Sequence, residues 1–263
     1  MMKEGGFALI DCLGFKGIWR RTDVSTLLDK LAAIQEEVKG RVAGFKSQPT
    51  DLHTGKIDMQ VSLISDTVAV SVQYKKESLQ IDDLNKAFLV WETCLAAVQV
   101  QSLFLLDEPP LVMRGCVTYG DHVVRKNFLV GPAVDEAAQH YELAQGAFIW
   151  LSPSAATIYE AGKWLLGPGD SLLIEYKVPL KDGQRLQTHV VNPLYLENSA
   201  EDRGAVCQRF GLAMAGASEL DVLLKRQNTT TYLQKADSQS TVVKDVGDAT
   251  EVPQRAGTGE PER

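Results

Sequence analysis

Several classes of protein are excluded by what this chain has little of. Only four of its 263 residues are cysteine, at positions 12, 94, 116 and 207, and none stands at the close spacing of a zinc ribbon or a redox pair. They read as buried, reduced thiols rather than as a metal or disulfide framework. Basic residues are also in deficit: 27 Lys and Arg face 34 Asp and Glu, for a net charge of -7. Nucleic-acid binding needs a basic face to neutralise phosphates, so none is expected, although a small basic pocket for one nucleotide remains compatible with this balance. No uninterrupted apolar run reaches the roughly 18 residues of a membrane span. Met-Met-Lys-Glu-Gly-Gly leads directly into a strand-like segment without the apolar stretch of a secretory leader. A cytoplasmic protein with no membrane insertion is the expectation. At 44% hydrophobic and 23% charged residues, the chain can bury the core of one sizeable domain with appendages.

Two short stretches dominate what is present. Phe7 to Lys16, Phe-Ala-Leu-Ile-Asp-Cys-Leu-Gly-Phe-Lys, reads as an apolar strand that carries one carboxylate, Asp11, near its end and runs into a glycine turn. Val61 to Val70 reads as a β-branched hairpin interrupted by a second lone carboxylate, Asp66. Burying a charge in a strand is costly unless something pairs with it, so two such aspartates invite a cation between them. Taken singly, each also fits the cap of a turn at a strand end.

The first strand (about 6 to 13) is followed by an N-cap signal at Arg20-Arg21-Thr22-Asp23 and a helix to about Phe45, with Leu27, Leu31, Ile34, Val38 and Val42 on one face. Strands near 56 to 65 and 67 to 74 form the hairpin, and Ile81 to Leu106 a long apolar helix ended by Asp107-Glu108-Pro109-Pro110. Leu111 to Tyr119 is a strand, Gly120-Asp121 begins a hairpin back through Phe128 and Leu129, and Gly131-Pro132 starts a helix rich in small residues. A strand at Ala147 to Leu151, a short helix capped at Ser152, and strands near 170 to 178 and 186 to 192 follow. The order β-α-β-β-α-β-β-α-β predicts an α+β fold with a ferredoxin-like βαββαβ core, an antiparallel sheet with helices on one face, and extra strands. The expected division is a catalytic domain over 1–195, a C-terminal helical extension over 196–235, and a disordered, polar tail over 236–263.

These segments resemble class III nucleotidyl cyclases, which convert a nucleoside triphosphate into a 3′,5′-cyclic monophosphate and pyrophosphate. Ile10-Asp11-Cys12-Leu13-Gly14-Phe15 is similar to the opening Asp-Ile-x-Gly-Phe-Thr motif of the family, and Ser65-Asp66-Thr67 stands where its second metal carboxylate belongs. Met113 to Gly120, then Val130 to Ala138, resemble its strand, hairpin and helix. The resemblance covers about residues 6 to 160. It implies Asp11 and Asp66, with the Cys12 carbonyl, as ligands of two Mg2+ or Mn2+ ions. Oxygen donors of this kind suit those hard cations. It also implies that backbone N–H groups of Leu13, Gly14 and Phe15 face phosphate oxygens, while Lys16 replaces the usual Thr and is expected in solvent.

Departures from the family pattern narrow the reading. The residues that read adenine in adenylate cyclases, a Lys and an Asp or Thr, are replaced by Ser62 and Phe128, which disfavours a purine because unmade polar contacts discriminate bases most strongly. The transition-state Asn and Arg fall at Asp135 and Gln139, neither a cation, leaving Arg125 in the hairpin, beside Lys126, as the candidate. Arg114 fits a structural ion pair as well as a site role, and His122 and His140 carry none. The pattern looks most like the bacterial pyrimidine cyclases of Pycsar anti-phage defence, which signal infection to a separate effector through cyclic UMP or cyclic CMP. UTP is favoured over CTP. A homodimer with two composite sites is expected, since each element occurs once. The rival readings are a catalytically silent nucleotide- or partner-binding module, an adenylate cyclase with a non-standard base pocket, and another palm-type enzyme. Against a diguanylate-forming version stands the absence of a Gly-Gly-Asp/Glu-Glu-Phe hairpin.

Overall fold

Strand β1 (Lys3–Cys12) is the axis of the sheet, with β3 on one side and β4 on the other, both antiparallel to it. The computed structural model describes residues 2–15, 18, 22–45, 57–75, 82–106, 108–125, 128–166, 171–215 and 220–248. In chain order the remaining elements are α1 (Val24–Phe45), β2 (Ile57–Ile64), β3 (Thr67–Tyr74), α2 (Asp83–Leu106), β4 (Met113–Arg125), β5 (Phe128–Val130), α3 (Pro132–His140), β6 (Ile149–Leu151), α4 (Pro153–Gly162), β7 (Leu173–Pro179), β8 (Arg185–Val191), α5 (Ala200–Ala213) and α6 (Leu220–Asp248). The sheet runs β2-β3-β1-β4-β6-β8-β7, with β5 paired to β4 off that path. Its first four strands are antiparallel neighbours in the order of a split βαβ pair, so the ferredoxin-like core is present as expected. Beyond it β6 lies parallel to β4, a pairing that needs a crossover element, which α3 supplies.

Side-chain alternation along β1 sorts the two faces. Ala8, Ile10 and Cys12 point into a core shared with Leu27 and Ile34 of α1, Leu89, Cys94 and Val98 of α2, and Ala155 and Tyr159 of α4. Phe7 points the other way and packs on Ala133 and Ala137 of α3. Further along that second face, Trp150, Ile174, Val178 and Val190 are covered by Val206 and Phe210 of α5 and by Tyr232, Leu233 and Ala236 of α6. The expectation of helices on one face is therefore corrected. The parallel β4–β6 pair and the strands beyond it expose a second apolar face, and α3, α5 and α6 bury it.

Local signals explain most element boundaries. Asp23 accepts the Thr26 N–H at 2.9 Å, Asp82 the Asn85 N–H at 2.8 Å, Ser152 the Ala155 N–H at 3.4 Å and Ser199 the Asp202 N–H at 3.0 Å, each meeting a donor that a helix start leaves over. Two boundaries differ from expectation. Strand β4 continues through Gly120-Asp121, and its hairpin turns between the paired residues Arg125 and Phe128. Helix α6 runs to Asp248, so the boundary expected at 235/236 falls inside it. Ala236 and Ser240 are buried, and Ser240 Oγ accepts from the Asn192 side chain at 3.2 Å. Small residues let the helix lie against the sheet without the large apolar side chains by which a helix face is recognised in sequence. The part of the expected tail from 249 to 263 lies outside the described residues.

Helix α2 has the length and apolarity to cross a membrane, alone among the described residues, which qualifies the expectation that no such stretch exists. Of that stretch 72% is buried inside the fold, as for a core helix packed on several sides. Within it Glu92 is only 8% exposed, its Oε2 has no hydrogen-bond partner among the described residues, and burial pushes its pKa from 4.5 up to about 7. Between those two values the folded chain holds a proton that the unfolded chain has released, so stability falls as pH rises, by about 3 kcal/mol once pH exceeds 7. Replacing Glu92→Gln is expected to stabilise the protein at pH 8 by up to this amount and to have little effect near pH 4.5. Denaturant unfolding at both pH values measures the difference; an equal effect at both would show that Glu92 is not protonated in the fold.

Candidate active site

The two aspartates meet because the β2–β3 turn is tight. Ile64 and Thr67 pair across it, leaving Ser65 and Asp66 as the loop, and Ser65 takes φ 59°, a left-handed value uncommon for a residue with a Cβ. The Cys12 N–H donates to the Asp66 carbonyl at 3.0 Å, which fastens the turn to the end of β1. Asp11 lies opposite Thr67 on β3 and Arg114 on β4. Thr67 Oγ1 donates to its Oδ1 at 3.4 Å, and Arg114 Nη2 to its Oδ2 at 3.2 Å. The Asp11 side chain is 14% exposed. Burial raises its pKa above the ordinary carboxylate value, with repulsion from Asp66 and Glu142 adding to the rise and the Arg114 hydrogen bond and charge opposing it. The Asp66 charge thus lies close enough to act on Asp11.

Arg114 also reaches Glu142 Oε1 at 3.3 Å, and Glu142 Oε2 lies 3.6 Å from Lys181 Nζ in the β7–β8 turn. Burial tends to raise the Glu142 pKa, but the Tyr141 hydrogen bond and the charges of Arg114 and Lys181 outweigh it and lower the pKa. Sequence reasoning left Arg114 open between two roles and passed over Glu142. The structure pairs Arg114 as an ion-pair residue. Glu142 carries no motif; its position depends on α3 crossing the sheet from the hairpin end toward Asp11.

The glycine turn has the expected form. Gly14 takes φ 79°, where a Cβ would be strained. The expectation that successive amides face a phosphate is corrected in part: the Leu13 N–H is occupied by the Val112 carbonyl at 2.8 Å, and the Phe15 N–H reaches the Cys12 carbonyl at 3.4 Å. Lys16 lies outside the described residues. No three His, Cys, Asp or Glu side chains among the described residues gather into a metal cage. The Asp11 and Asp66 carboxylates and the Cys12 carbonyl are all oxygen donors, the type that suits a hard divalent cation. Ser62 pairs with Ala69, which itself pairs with Leu9. It therefore stands on the Asp11 face, one pleat row away.

Arg125 and Phe128 are not brought to this end of the sheet. Arg125 and Phe128 close the β4–β5 hairpin, and Phe128 is 72% exposed. From Arg114 to Arg125, at about 3.3 Å per residue, β4 spans roughly 36 Å of extended chain. Asp135 and Gln139 sit exposed on α3; Lys126 lies outside the described residues. Within one chain the set Asp11, Cys12, Asp66 and Ser62 is thus assembled at one end, and Arg125 with Phe128 at the other.

No protein-family model and no curated protein sequence matches the chain. Among solved structures it is similar to the catalytic core of a rhodopsin-guanylyl cyclase with converted specificity in complex with ATPαS, at 16% identity and TM-score 0.48, over 72% of this chain and 95% of that one. It is also similar to the guanylyl cyclase Cya2, at 15% identity and TM-score 0.41, over 73% and 91%, and to an adenylate/guanylate cyclase/hydrolase from Silicibacter pomeroyi, at 13% identity and TM-score 0.42, over 73% and 95%. These are likenesses of chain path and assign no residue a role.

Helix α3 is positioned by a close approach at Gly131. Its φ is 138°, and a Cβ there would meet the Asp121 carbonyl oxygen at 2.4 Å and the His122 Cα at 2.7 Å, both backbone atoms that cannot swing aside. Thr118 Oγ1 fastens the same helix by donating to the Ala133 carbonyl at 2.9 Å. Gly131→Ala is expected to destabilise the fold by at least about 2 kcal/mol, read as a lower midpoint in denaturant unfolding. An unchanged midpoint would show that α3 does not rely on this contact.

Proposed function

We propose that the protein is a nucleotidyl cyclase that closes a pyrimidine nucleoside triphosphate, UTP before CTP, to its 3′,5′-cyclic monophosphate with release of pyrophosphate. The observation that carries this reading is the convergence of Asp11 and Asp66 at one end of the sheet, beside the Gly14 turn. In the reaction the 3′-oxygen attacks the α-phosphorus, the bond from the α-phosphorus to the bridging oxygen breaks so that pyrophosphate leaves, and the hydroxyl proton passes to solvent. Two Mg2+ or Mn2+ ions, when bound, neutralise the triphosphate and make that weakly acidic hydroxyl a competent nucleophile. Asp11, Asp66 and the Cys12 carbonyl would hold them. Gly14 lets the chain come close to phosphate without a side chain between, Ser62 borders the base, and the lack of the adenine-reading Lys and Asp supports a pyrimidine.

The second half of the site belongs, in this reading, to a partner copy. Arg125 and Phe128 are too far along the same chain to join Asp11, and a two-fold pairing would set each end, with Asp135 of α3 beside the hairpin, against the other's opposite end. The exposed Phe128 and Val130 of the hairpin supply apolar surface for that contact. Arg125 then offers the cation that Asp135 and Gln139 lack. The biological role consistent with this chemistry is a cytoplasmic second-messenger synthase in anti-phage defence, whose cyclic nucleotide activates a separate effector. A silent, binding-only module is the reading favoured by the Arg114–Asp11 pair, which already neutralises one carboxylate.

Incubation with each ribonucleoside triphosphate and manganese, followed by product mass, separates the readings. Cyclic UMP or cyclic CMP is expected in excess over the purine products. Asp11→Asn and Asp66→Asn are each expected to abolish product while remaining folded, because an amide is isosteric but supplies no anionic ligand. Dominant cyclisation of ATP would overturn the base assignment, and no pyrophosphate from any nucleotide would favour the silent module.

Mixing Asp11→Asn with Arg125→Ala tests the composite site. Random exchange makes half of the dimers mixed, each with one intact site of two, so recovery of about a quarter of wild-type activity is expected. Exchange without recovery would mean that each chain builds its site alone.

A further inference from the structure

The Arg114 guanidinium stands where a cation bound at Asp11 would repel it, and its hydrogen bonding is incomplete. A single nitrogen, Nη2, serves both carboxylates, Asp11 at 3.2 Å and Glu142 at 3.3 Å. The arginine side chain is 10% exposed, and its Nε is buried with no hydrogen-bond partner among the described residues. Arginine carries five donors in a planar fork suited to bidentate pairing with one carboxylate, so one nitrogen shared between two acceptors leaves the fork poorly used. The charges around it are Asp11 on β1, Asp66 in the β2–β3 turn, Glu142 after α3 and Lys181 in the β7–β8 turn. Only Glu142 is a carboxylate that the metal reading leaves unassigned, and its other oxygen is steadied from the far side by Lys181 at 3.6 Å.

We infer that Arg114 is the resident counter-ion of Asp11, which a divalent cation displaces, and that Glu142 is the acceptor that receives the displaced guanidinium. This rests on the reading of Asp11 and Asp66 as metal ligands. Before metal binds, Arg114 offsets the burial of Asp11; when metal binds, repulsion between two positive centres on one carboxylate weakens the hold of Arg114 on it. The guanidinium then pairs with Glu142 alone. Glu142 is a positioning residue, setting metal affinity through Arg114 without touching the ion.

Mn2+ binding to the nucleotide-free, full-length protein, followed by electron paramagnetic resonance, tests this with thermal unfolding of each variant as the folding control. Arg114→Met is expected to tighten Mn2+ by about threefold to tenfold, Arg114→Lys to change it less, and Glu142→Gln to weaken it by a similar factor. In the Arg114→Met background Glu142→Gln is expected to have no further effect. Equal weakening by Glu142→Gln in both backgrounds would make Glu142 a ligand or a bystander charge, and failure of folded Arg114→Met to tighten Mn2+ would remove the counter-ion role; either overturns the inference. A measurement on the unaltered protein runs alongside: the Arg114 Nε–H resonance should shift when Mg2+ is added, and an unmoved resonance at saturating metal overturns the inference too. Mn2+ binding that is absent, or insensitive to Asp11→Asn, would instead overturn the metal reading beneath it.

Discussion

A carboxylate near the end of a mostly buried strand has to be met by positive charge, and the β1–β4 register supplies that charge by placing Arg114 opposite Asp11. The candidate site depends on this alignment. A slip of one residue would turn Asp11 toward the face covered by α2, against Leu89, Cys94 and Val98, and away from Arg114. The same register sets Thr67 against Asp11 and holds the β2–β3 turn beside the end of β1. Breaking a buried pair of this kind by removing one partner typically costs about 3 to 5 kcal/mol, because the remaining charge stays desolvated. Glu142 moderates that cost for Arg114, since it remains within 3.3 Å.

The division of chemistry between two ends of one sheet follows from the length of β4. Met113 to His122 pair with β1 and include Arg114, whereas the last residues, Val123 to Arg125, leave that partner and fold back on β5. A single strand thereby reaches from the aspartates to the hairpin tip, and α3 returns along it to deliver Glu142. The approach of Gly131 to the Asp121–His122 backbone sets where that helix begins. Proximity within one chain is thus available for Asp11, Asp66, Arg114 and Glu142, and unavailable for Arg125 and Phe128. The proposed reaction would reconcile both groups through a composite assembly of two copies.

Backbone order was highly legible in the sequence. The apolar alternation of β1 and β3, the cap residues Asp23 and Ser152, and the glycine turn after Asp11 are local signals, and the elements they imply are found with small shifts. Legibility failed where the determining contact is long-range. Gly120-Asp121 resembles a turn, yet pairing with β1 at Gly5 and Glu4 keeps β4 extended through it. Ser and Thr in α6 resemble a tail, yet a helix with small residues can lie flat on β7 and β8 and be buried there.

The sequence by itself determined the core element order, the two lone carboxylates Asp11 and Asp66 in otherwise apolar segments, and the glycine turn after Asp11. Each of these is encoded in periodicity or in backbone conformational limits within a few residues. Only the tertiary structure decided that Arg114 and Glu142 share the aspartate end, that Leu13 gives its amide to Val112, and that helices cover both faces of the sheet. The reason is that pairing across a sheet joins residues about a hundred positions apart, as Asp11 and Arg114 are, and no local pattern carries the register that unites them.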